Sequence, residues 1–142
     1  MKQYNRFLLK QIKMAEHNEI GKIGENITKT FLMKHGFSVL ETNYRTSYGE
    51  IDIIAEKDSK IRFIEVKSVK VRDFLNINKL SVVPEDNLTR AKWSKIAISV
   101  ETYLRHKNVP HETKWQIDLA CVYINTETRE GKVILKENVH KE

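Results

Sequence analysis

The sequence has 142 residues, of which 40% are hydrophobic and 31% charged, with five glycines and two prolines. This composition excludes disordered and collagen-like chains and is typical of one soluble globular domain. The 25 lysines and arginines exceed the 19 acids by six, and this net charge of +6 favours a polyanionic partner such as nucleic acid or a membrane surface. A solvated basic surface without such a partner is the alternative.

The N-terminal segment predicts neither a secretory signal nor a membrane span. Lys10 and Lys13 interrupt the apolar positions there, whereas a signal peptide needs a continuous apolar core and a cleavage site. The longest apolar run, residues 119–124, is far shorter than the roughly 18 residues that suggest a transmembrane helix. Cys121 is the only cysteine, so no intrachain disulfide is expected and the cytoplasm is the expected compartment.

Apolar residues at helical spacing predict an amphipathic helix over residues 2–16, with lysines and an arginine on its opposite side. We expect residues 1–18 to form a basic helical extension before a single domain at 19–142. Its basic side could contact a nucleic-acid backbone or an anionic membrane. We favour a third reading, in which that side faces water while Phe7 and Leu8 pack against the core or a partner.

The remaining elements are predicted from periodicity and turn residues. A second helix is expected at 19–35 and ends at Gly36, and another is expected at about 89–106 with Thr89 or Asn87 as its N-cap. Predicted strands cover residues 37–44, 50–56, 61–67, 114–124 and 132–136. The stretch 71–88 is predicted as a long loop. This order indicates a mixed β-sheet flanked by helices, with the first three strands as an antiparallel meander.

Charged residues interrupt two neighbouring predicted strands. Glu50 and Asp52 are expected on one face of their strand, and Ile51 and Ile53 on the other. In the next strand, Glu65 and Lys67 lie among apolar neighbours and also share a face. Pairing of the two strands through the turn at 57–60 would bring Asp52 and Glu65 together, with Lys67 beside them.

Such an arrangement suits phosphodiester hydrolysis. Neighbouring carboxylates repel each other unless a cation lies between them, and oxygen ligands suit Mg²⁺ or Mn²⁺ better than zinc. A metal can lower the pKa of bound water and neutralise charge on a phosphoryl oxygen, and a lysine ammonium adds a donor. The alternative is an ordinary solvated strand face on which Glu65 and Lys67 form ion pairs, and spacing alone does not decide between them.

A set of motifs in chain order resembles the YraN family. They are Gly21-x-x-Gly24-Glu25, Asn43-Tyr44-Arg45, Gly49-Glu50-Ile51-Asp52-Ile53-Ile54, Phe63-Ile64-Glu65-Val66-Lys67, Thr89-Arg90-Ala91-Lys92 and Ile117-Asp118. The match runs from about residue 19 to residue 136. This family is similar to archaeal Holliday junction resolvases within the PD-(D/E)XK, or restriction-endonuclease-like, superfamily.

The resemblance implies an α/β, restriction-endonuclease-like fold with a central mixed β-sheet flanked by helices. It places the catalytic residues at Glu25, Asp52, Glu65 and Lys67. Asp52 and Glu65 would hold Mg²⁺ or Mn²⁺, and Glu25 would complete the metal shell directly or through water. Lys67 would orient the attacking water or steady the scissile phosphate.

Further residues are weaker candidates for a functional role, because their sequence pattern is less specific. The basic residues Arg45, Arg90 and Lys92 match the family pattern and are predicted to contact nucleic acid, with exposed surface charges as the alternative. Glu50 is an additional ligand candidate or a solvated strand-end acid, and Asp118 is predicted to form a structural ion pair. Many relatives carry arginine where this chain has Val69.

These residues support a metal-dependent nuclease that acts on DNA, branched or single-stranded. A non-catalytic nucleic-acid-binding adaptor with the same fold is the second hypothesis, and a protein that docks to a membrane surface or a partner through residues 2–16 is the third. DNA and RNA are not distinguished by the sequence. A homodimer, whose symmetric sites would address both strands of a junction, is also left open.

Overall fold

A computed structural model describes residues 2–4, 17–75, 88–128 and 130–139. The elements are β1 (Lys2–Tyr4), α1 (His17–Lys34), β2 (Ser38–Thr46), β3 (Gly49–Lys57), β4 (Lys60–Lys70), α2 (Arg90–His106), β5 (Lys114–Asn125) and β6 (Glu130–Lys136). Both helices within the predicted domain and its five strands therefore lie within a few residues of their predicted positions. In the part of the chain that is described, no helix combines the length and apolarity needed to cross a bilayer.

The strands form one mixed sheet in the order β1-β6-β5-β4-β3-β2. Strands β2, β3 and β4 are consecutive antiparallel neighbours, which confirms the predicted meander. Strands β4 and β5 are parallel, and α2 lies between them in sequence because parallel neighbours need a crossover connection. The predicted α/β class with a central mixed sheet is confirmed.

The two helices cover opposite faces of this sheet. Consecutive residues of a strand point to opposite faces, and Phe63 and Ile64 of β4 belong to different core clusters. The cluster of Ile64 includes Phe31 of α1, and the cluster of Phe63 includes Val100 of α2. Helices therefore flank the sheet as predicted.

Both described helices have the expected boundary residues. Helix α1 is followed by Gly36, whose φ of 83° is a conformation that glycine adopts without strain. Thr89 is the N-cap of α2, and its hydroxyl accepts a hydrogen bond from the Lys92 backbone N–H at 3.2 Å. Of the two predicted caps, Thr89 is confirmed, whereas Asn87 lies outside the described residues.

The helix predicted over residues 2–16 is wrong at its start. Lys2–Tyr4 form the edge strand β1, which pairs antiparallel with β6. Helical periodicity is overridden there because the edge of β6 offers backbone hydrogen-bond partners to an extended segment. Residues 5–16 lie outside the described residues, as do residues 76–87 of the predicted loop, so the division at residue 18 stays a prediction.

A candidate metal centre where two strands separate

Asp52 lies where strand β3 leaves β4. The described register between these strands ends at the pair Ile53 and Ile64, whereas β3 remains paired with β2 as far as Gly49. At this point the Asp52 Oδ2 atom accepts a hydrogen bond from the Val66 backbone N–H at 2.8 Å. A side chain therefore takes the place of a backbone ladder bond and is fixed at the opening between the strands.

This separation also breaks the alternation expected for β3. Ile51 packs in the core cluster beneath α2, and Ile53 packs in the cluster beneath α1. The prediction that the two isoleucines share one face is therefore wrong. Period-two alternation holds only along a regular ladder. Between these positions β3 leaves β4, and its register with β2 skips Asn43, which has a φ of 52°.

Glu25 reaches the same place from α1. The preceding residue, Gly24, is buried against β4, where a Cβ atom would collide with the Ser68 hydroxyl. Glycine thus permits a close approach of the helix to the strand. This approach brings Glu25, Asp52, Glu65 and Lys67 into one depression of about 530 Å³, the acidic cleft. Its other lining residues are Ile20, Gly21, Val66, Ser68 and Lys70.

Three carboxylates form the closest acidic group among the described residues. Oxygen atoms of Glu25, Glu50 and Asp52, here the carboxylate cluster, lie within 4.8 Å of one another. Asn43 connects two of them: its Nδ2 donates hydrogen bonds to Glu25 Oε2 at 3.0 Å and to Glu50 Oε1 at 2.8 Å. Asn43 has a φ of 52°, which asparagine tolerates better than most residues.

Glu65 and Lys67 lie beside this cluster. The charge of the Glu65 carboxylate raises the pKa of Asp52 in the same cleft, and Lys67 Nζ is 3.5 Å from Glu65 Oε1. Glu65 is not a member of the carboxylate cluster itself. The four residues predicted to be catalytic therefore share the acidic cleft, and Glu50 joins two of them in the group best spaced for a cation.

Electrostatics in the acidic cleft favour a cation. Burial, followed by the charge of Glu65, raises the pKa of Asp52 from 3.8 to about 8, while the Val66 N–H lowers it in part. Burial also raises the pKa of Glu65, against the lowering effect of Lys67. A divalent ion would compensate this repulsion, and an all-oxygen donor set suits a hard cation. The carboxylate cluster could therefore hold a metal ion.

Basic side chains border the site on two sides. Lys22, Lys29 and Arg45 line a depression of about 370 Å³ that includes Glu25 and Glu50. Arg45 Nε also donates a hydrogen bond to Glu50 Oε2 at 3.2 Å, although its side chain is 84% exposed. It thus lies next to the carboxylate cluster, and its contact with nucleic acid stays a prediction.

The second basic border belongs to α2. Lys92 and Lys95 line a depression of about 170 Å³ together with Glu65 and Lys67. Arg90 is exposed and lines neither depression, so the structure does not bring it to the site. A larger depression of about 640 Å³ at the end of α2 contains a single carboxylate, Glu101, and offers no group of oxygen ligands.

Asp118 has a structural role. It is fully buried, and its carboxylate accepts hydrogen bonds from Arg62 Nη1 at 3.0 Å, Gln116 Nε2 at 2.7 Å and the Asn138 backbone N–H at 2.8 Å. Every one of these partners lies away from the residues that line the acidic cleft. The predicted ion pair of Asp118 is confirmed.

Sequence reasoning assigned no role to Asn43 and only a secondary one to Glu50. Asn43 belongs to the Asn-Tyr-Arg motif, but a single asparagine at the end of a predicted strand has no chemical signal of its own. Its positive φ and its contacts with Glu25, 18 residues earlier, exist only in the folded chain.

Comparison with known proteins places the chain among relatives. The sequence profile described as "Uncharacterised protein family UPF0102" matches residues 24–122, which include the carboxylate cluster, Glu65 and Lys67. The chain belongs to the UPF0102 family. UPF0102 and YraN denote the same family, so the resemblance is confirmed.

Individual UPF0102 proteins are similar over most of the chain. A UPF0102 protein of Dictyoglomus thermophilum is 36% identical over 118 residues, which cover 83% of this chain and 91% of the relative. One of Clostridium perfringens is 41% identical over 97 residues, 68% of this chain and 74% of the relative. Among solved structures, Pyrococcus furiosus SfsA in complex with Ca²⁺ has a TM-score of 0.32 and 15% identity, with coverage of 86% of this chain and 64% of that one.

Proposed function

We propose that this UPF0102 protein is a metal-dependent nuclease that hydrolyses phosphodiester bonds in DNA. The observation that supports the proposal is the meeting of Glu25, Asp52 and Glu65 in one cleft beside Lys67. Nuclease chemistry needs a cation site next to a positive donor, because negative charge grows on the phosphoryl oxygens during hydrolysis.

Mg²⁺ or Mn²⁺ fits this set of donors. Glu25, Glu50 and Asp52 would hold the ion, and Glu65 lines the same cleft as Glu25 and Asp52. Carboxylate oxygens are typical ligands of these ions, whereas zinc sites usually contain histidine or cysteine. The bound ion would lower the pKa of a coordinated water molecule and compensate the negative charge of the phosphate.

The other contributions come from the protein itself. Asn43 orients Glu25 and Glu50 by donating a hydrogen bond to each. Lys67, held near Glu65, would donate to a phosphate oxygen or orient the attacking water. Asp52 is positioned by the hydrogen bond that its carboxyl accepts from the Val66 N–H.

The charge around the cleft supports a nucleic-acid substrate. Lys22 and Lys29 lie on the α1 side of the carboxylates, and Lys92 and Lys95 on the α2 side. A backbone that crosses the carboxylates would therefore meet ammonium groups before and after the reacting phosphate. Such contacts supply affinity that does not depend on sequence and falls with salt.

Cleavage of labelled four-way junctions and single strands with Mg²⁺, Mn²⁺ or EDTA tests the proposal. We expect cleavage only with a divalent ion, and a loss of about 100-fold or more in Asp52→Asn, Glu65→Gln and Lys67→Met. Glu56→Gln is the matched control, because Glu56 is an exposed acid of the same strand β3 outside the cleft. Its activity should equal that of the wild type.

Two results would contradict the nuclease proposal. Cleavage that survives in both Asp52→Asn and Glu65→Gln would identify a contaminating enzyme. Salt-dependent DNA binding without cleavage in any divalent ion would instead support the non-catalytic adaptor.

A further inference from the structure

The turn between β2 and β3 presents an aromatic ring next to the acidic cleft. Tyr48 is 55% exposed and lines the depression of about 170 Å³ that also contains Glu65, Lys67, Lys92 and Lys95. Single exposed apolar residues are common on protein surfaces. Tyr48 differs from such residues because it shares one depression with two lysines of α2 and with Glu65 and Lys67 of the candidate reaction site.

The backbone that carries Tyr48 is anchored. Thr46 Oγ1 accepts hydrogen bonds from the N–H groups of Tyr48 at 3.1 Å and Gly49 at 3.2 Å. The same oxygen lies 2.9 Å from the hydroxyl of Ser99, a fully buried residue of α2. Gly49 has a φ of 157°, which other residues rarely adopt. The backbone beneath the exposed ring is therefore fixed, so little backbone conformational entropy is lost when a ligand covers the ring.

We propose that Tyr48 stacks against an unpaired base of the substrate strand. This inference rests on the proposed nuclease function and narrows its substrate class to nucleic acid that is single-stranded beside the scissile phosphate. In a continuous duplex each base is covered on both faces by its neighbours. Away from duplex ends, only an unpaired nucleotide, in a single strand or at a branch, exposes a face that the Tyr48 ring can cover.

Lys92 and Lys95 supply the matching backbone contacts. They are three residues apart in α2 and so lie on neighbouring positions of one helix side. A Cβ atom built on Gly49 would lie 4.0 Å from the Lys95 Cβ, which places this lysine beside the turn. An aromatic ring with adjacent ammonium groups is the combination by which single-strand-binding surfaces hold base and phosphate together.

Binding measured without cleavage tests the stacking role. In the Asp52→Asn background, the affinities for a fluorescent 15-nucleotide single strand and for its blunt duplex are compared by anisotropy. We expect Tyr48→Ala to weaken single-strand binding about 5- to 100-fold and Tyr48→Phe to retain it within about twofold. Duplex affinity should not change in either variant. Met33→Ala, which removes an exposed apolar side chain of α1, is the control and should have no effect.

The outcomes separate this inference from the nuclease proposal. Unchanged single-strand affinity in Tyr48→Ala, or an equal loss for strand and duplex, would overturn the stacking role. If the wild-type protein still cleaves nucleic acid in that case, the nuclease proposal stands alone. If the Asp52→Asn protein binds neither probe and the wild type cleaves nothing, both proposals are rejected.

Discussion

Asp52 on β3 is hydrogen bonded to the backbone N–H of Val66 on β4, with 2.8 Å between Oδ2 and N. Val66 stands between Glu65 and Lys67 in the sequence. One hydrogen bond therefore connects Asp52 of β3 to the segment of β4 that carries Glu65 and Lys67. It forms where the two strands separate, and it holds the Asp52 carboxyl in the cleft that Glu65 and Lys67 also line.

The raised pKa of Asp52 predicts a pH-dependent stability. The folded-state pKa of about 8 lies above the ordinary 3.8, so stability is lost as the pH rises from about 4 through about 8. Asparagine keeps the acceptor for Val66 but has no charge. Without divalent ions, we expect Asp52→Asn to match the wild type near pH 4 and to exceed its free energy of unfolding by about 1–3 kcal/mol at pH 9.

Urea unfolding in EDTA across this pH range provides the measurement. A difference between the two proteins that does not vary with pH would disprove the assigned pKa. In samples without EDTA, Mn²⁺ at pH 9 should raise the melting temperature of the wild type and leave that of Asp52→Asn nearly unchanged, because ligands stabilise the state that binds them.

Asn43 should contribute to metal affinity without being a ligand. Asn43→Gly removes both hydrogen bonds to Glu25 and Glu50 but tolerates the φ of 52°. We expect a fall in Mn²⁺ affinity of about 10- to 100-fold by calorimetric titration, with the fold retained. Asn43→Ala should show the same loss of affinity and an additional destabilisation of about 1 kcal/mol from backbone strain. Wild-type affinity in Asn43→Gly would show that the amide does not order the carboxylates.

Replacement by alanine should change the stability of the protein in opposite directions at the two glycines of α1. A Cβ at Gly24 would collide with the Ser68 hydroxyl, whereas nothing lies within 4 Å of a Cβ at Gly21. We expect Gly24→Ala to destabilise the protein by about 1–3 kcal/mol through overpacking. Gly21→Ala should stabilise it by up to about 1 kcal/mol, because alanine favours the helix.

Thermal unfolding of both glycine variants measures this contrast. Ser68→Ala removes the colliding oxygen and should restore part of the stability that Gly24→Ala loses. Equal effects at positions 21 and 24 would argue against the close packing of α1 on β4.

Arg62 and Asp118 form a buried pair whose loss should affect stability but not metal binding. Asp118→Ala leaves the Arg62 guanidinium without its buried partner, and we expect a loss of about 3–5 kcal/mol in urea unfolding. Glu137 is the other acid that contacts Arg62, and the Glu137 side chain is 54% exposed. We therefore expect Glu137→Gln to lower the free energy of unfolding by less than about 1 kcal/mol. A change in Mn²⁺ affinity of folded Asp118→Ala would contradict the structural assignment.

Much of the fold was predictable because burial patterns are local. The β-branched and aromatic residues of β4 and the threonine cap of α2 each lie within a few positions of the feature they determine. The exception is β1, which has helical periodicity but extends along β6. Its conformation depends on a partner more than 100 residues away in the chain, as the pairing of Lys2 with Ile134 shows.

The sequence by itself determined which side chains could do chemistry: two acids and a lysine at strand spacing, and an acid on a helix. Tertiary structure alone decided that Glu50 joins Glu25 and Asp52, and that Asn43 bridges two of these acids. It also decided that Tyr48 borders the same site. The physical reason is that strand periodicity depends on neighbouring residues in the sequence. The point at which β3 leaves β4, and the charged side chains that meet there, depend instead on packing between distant segments.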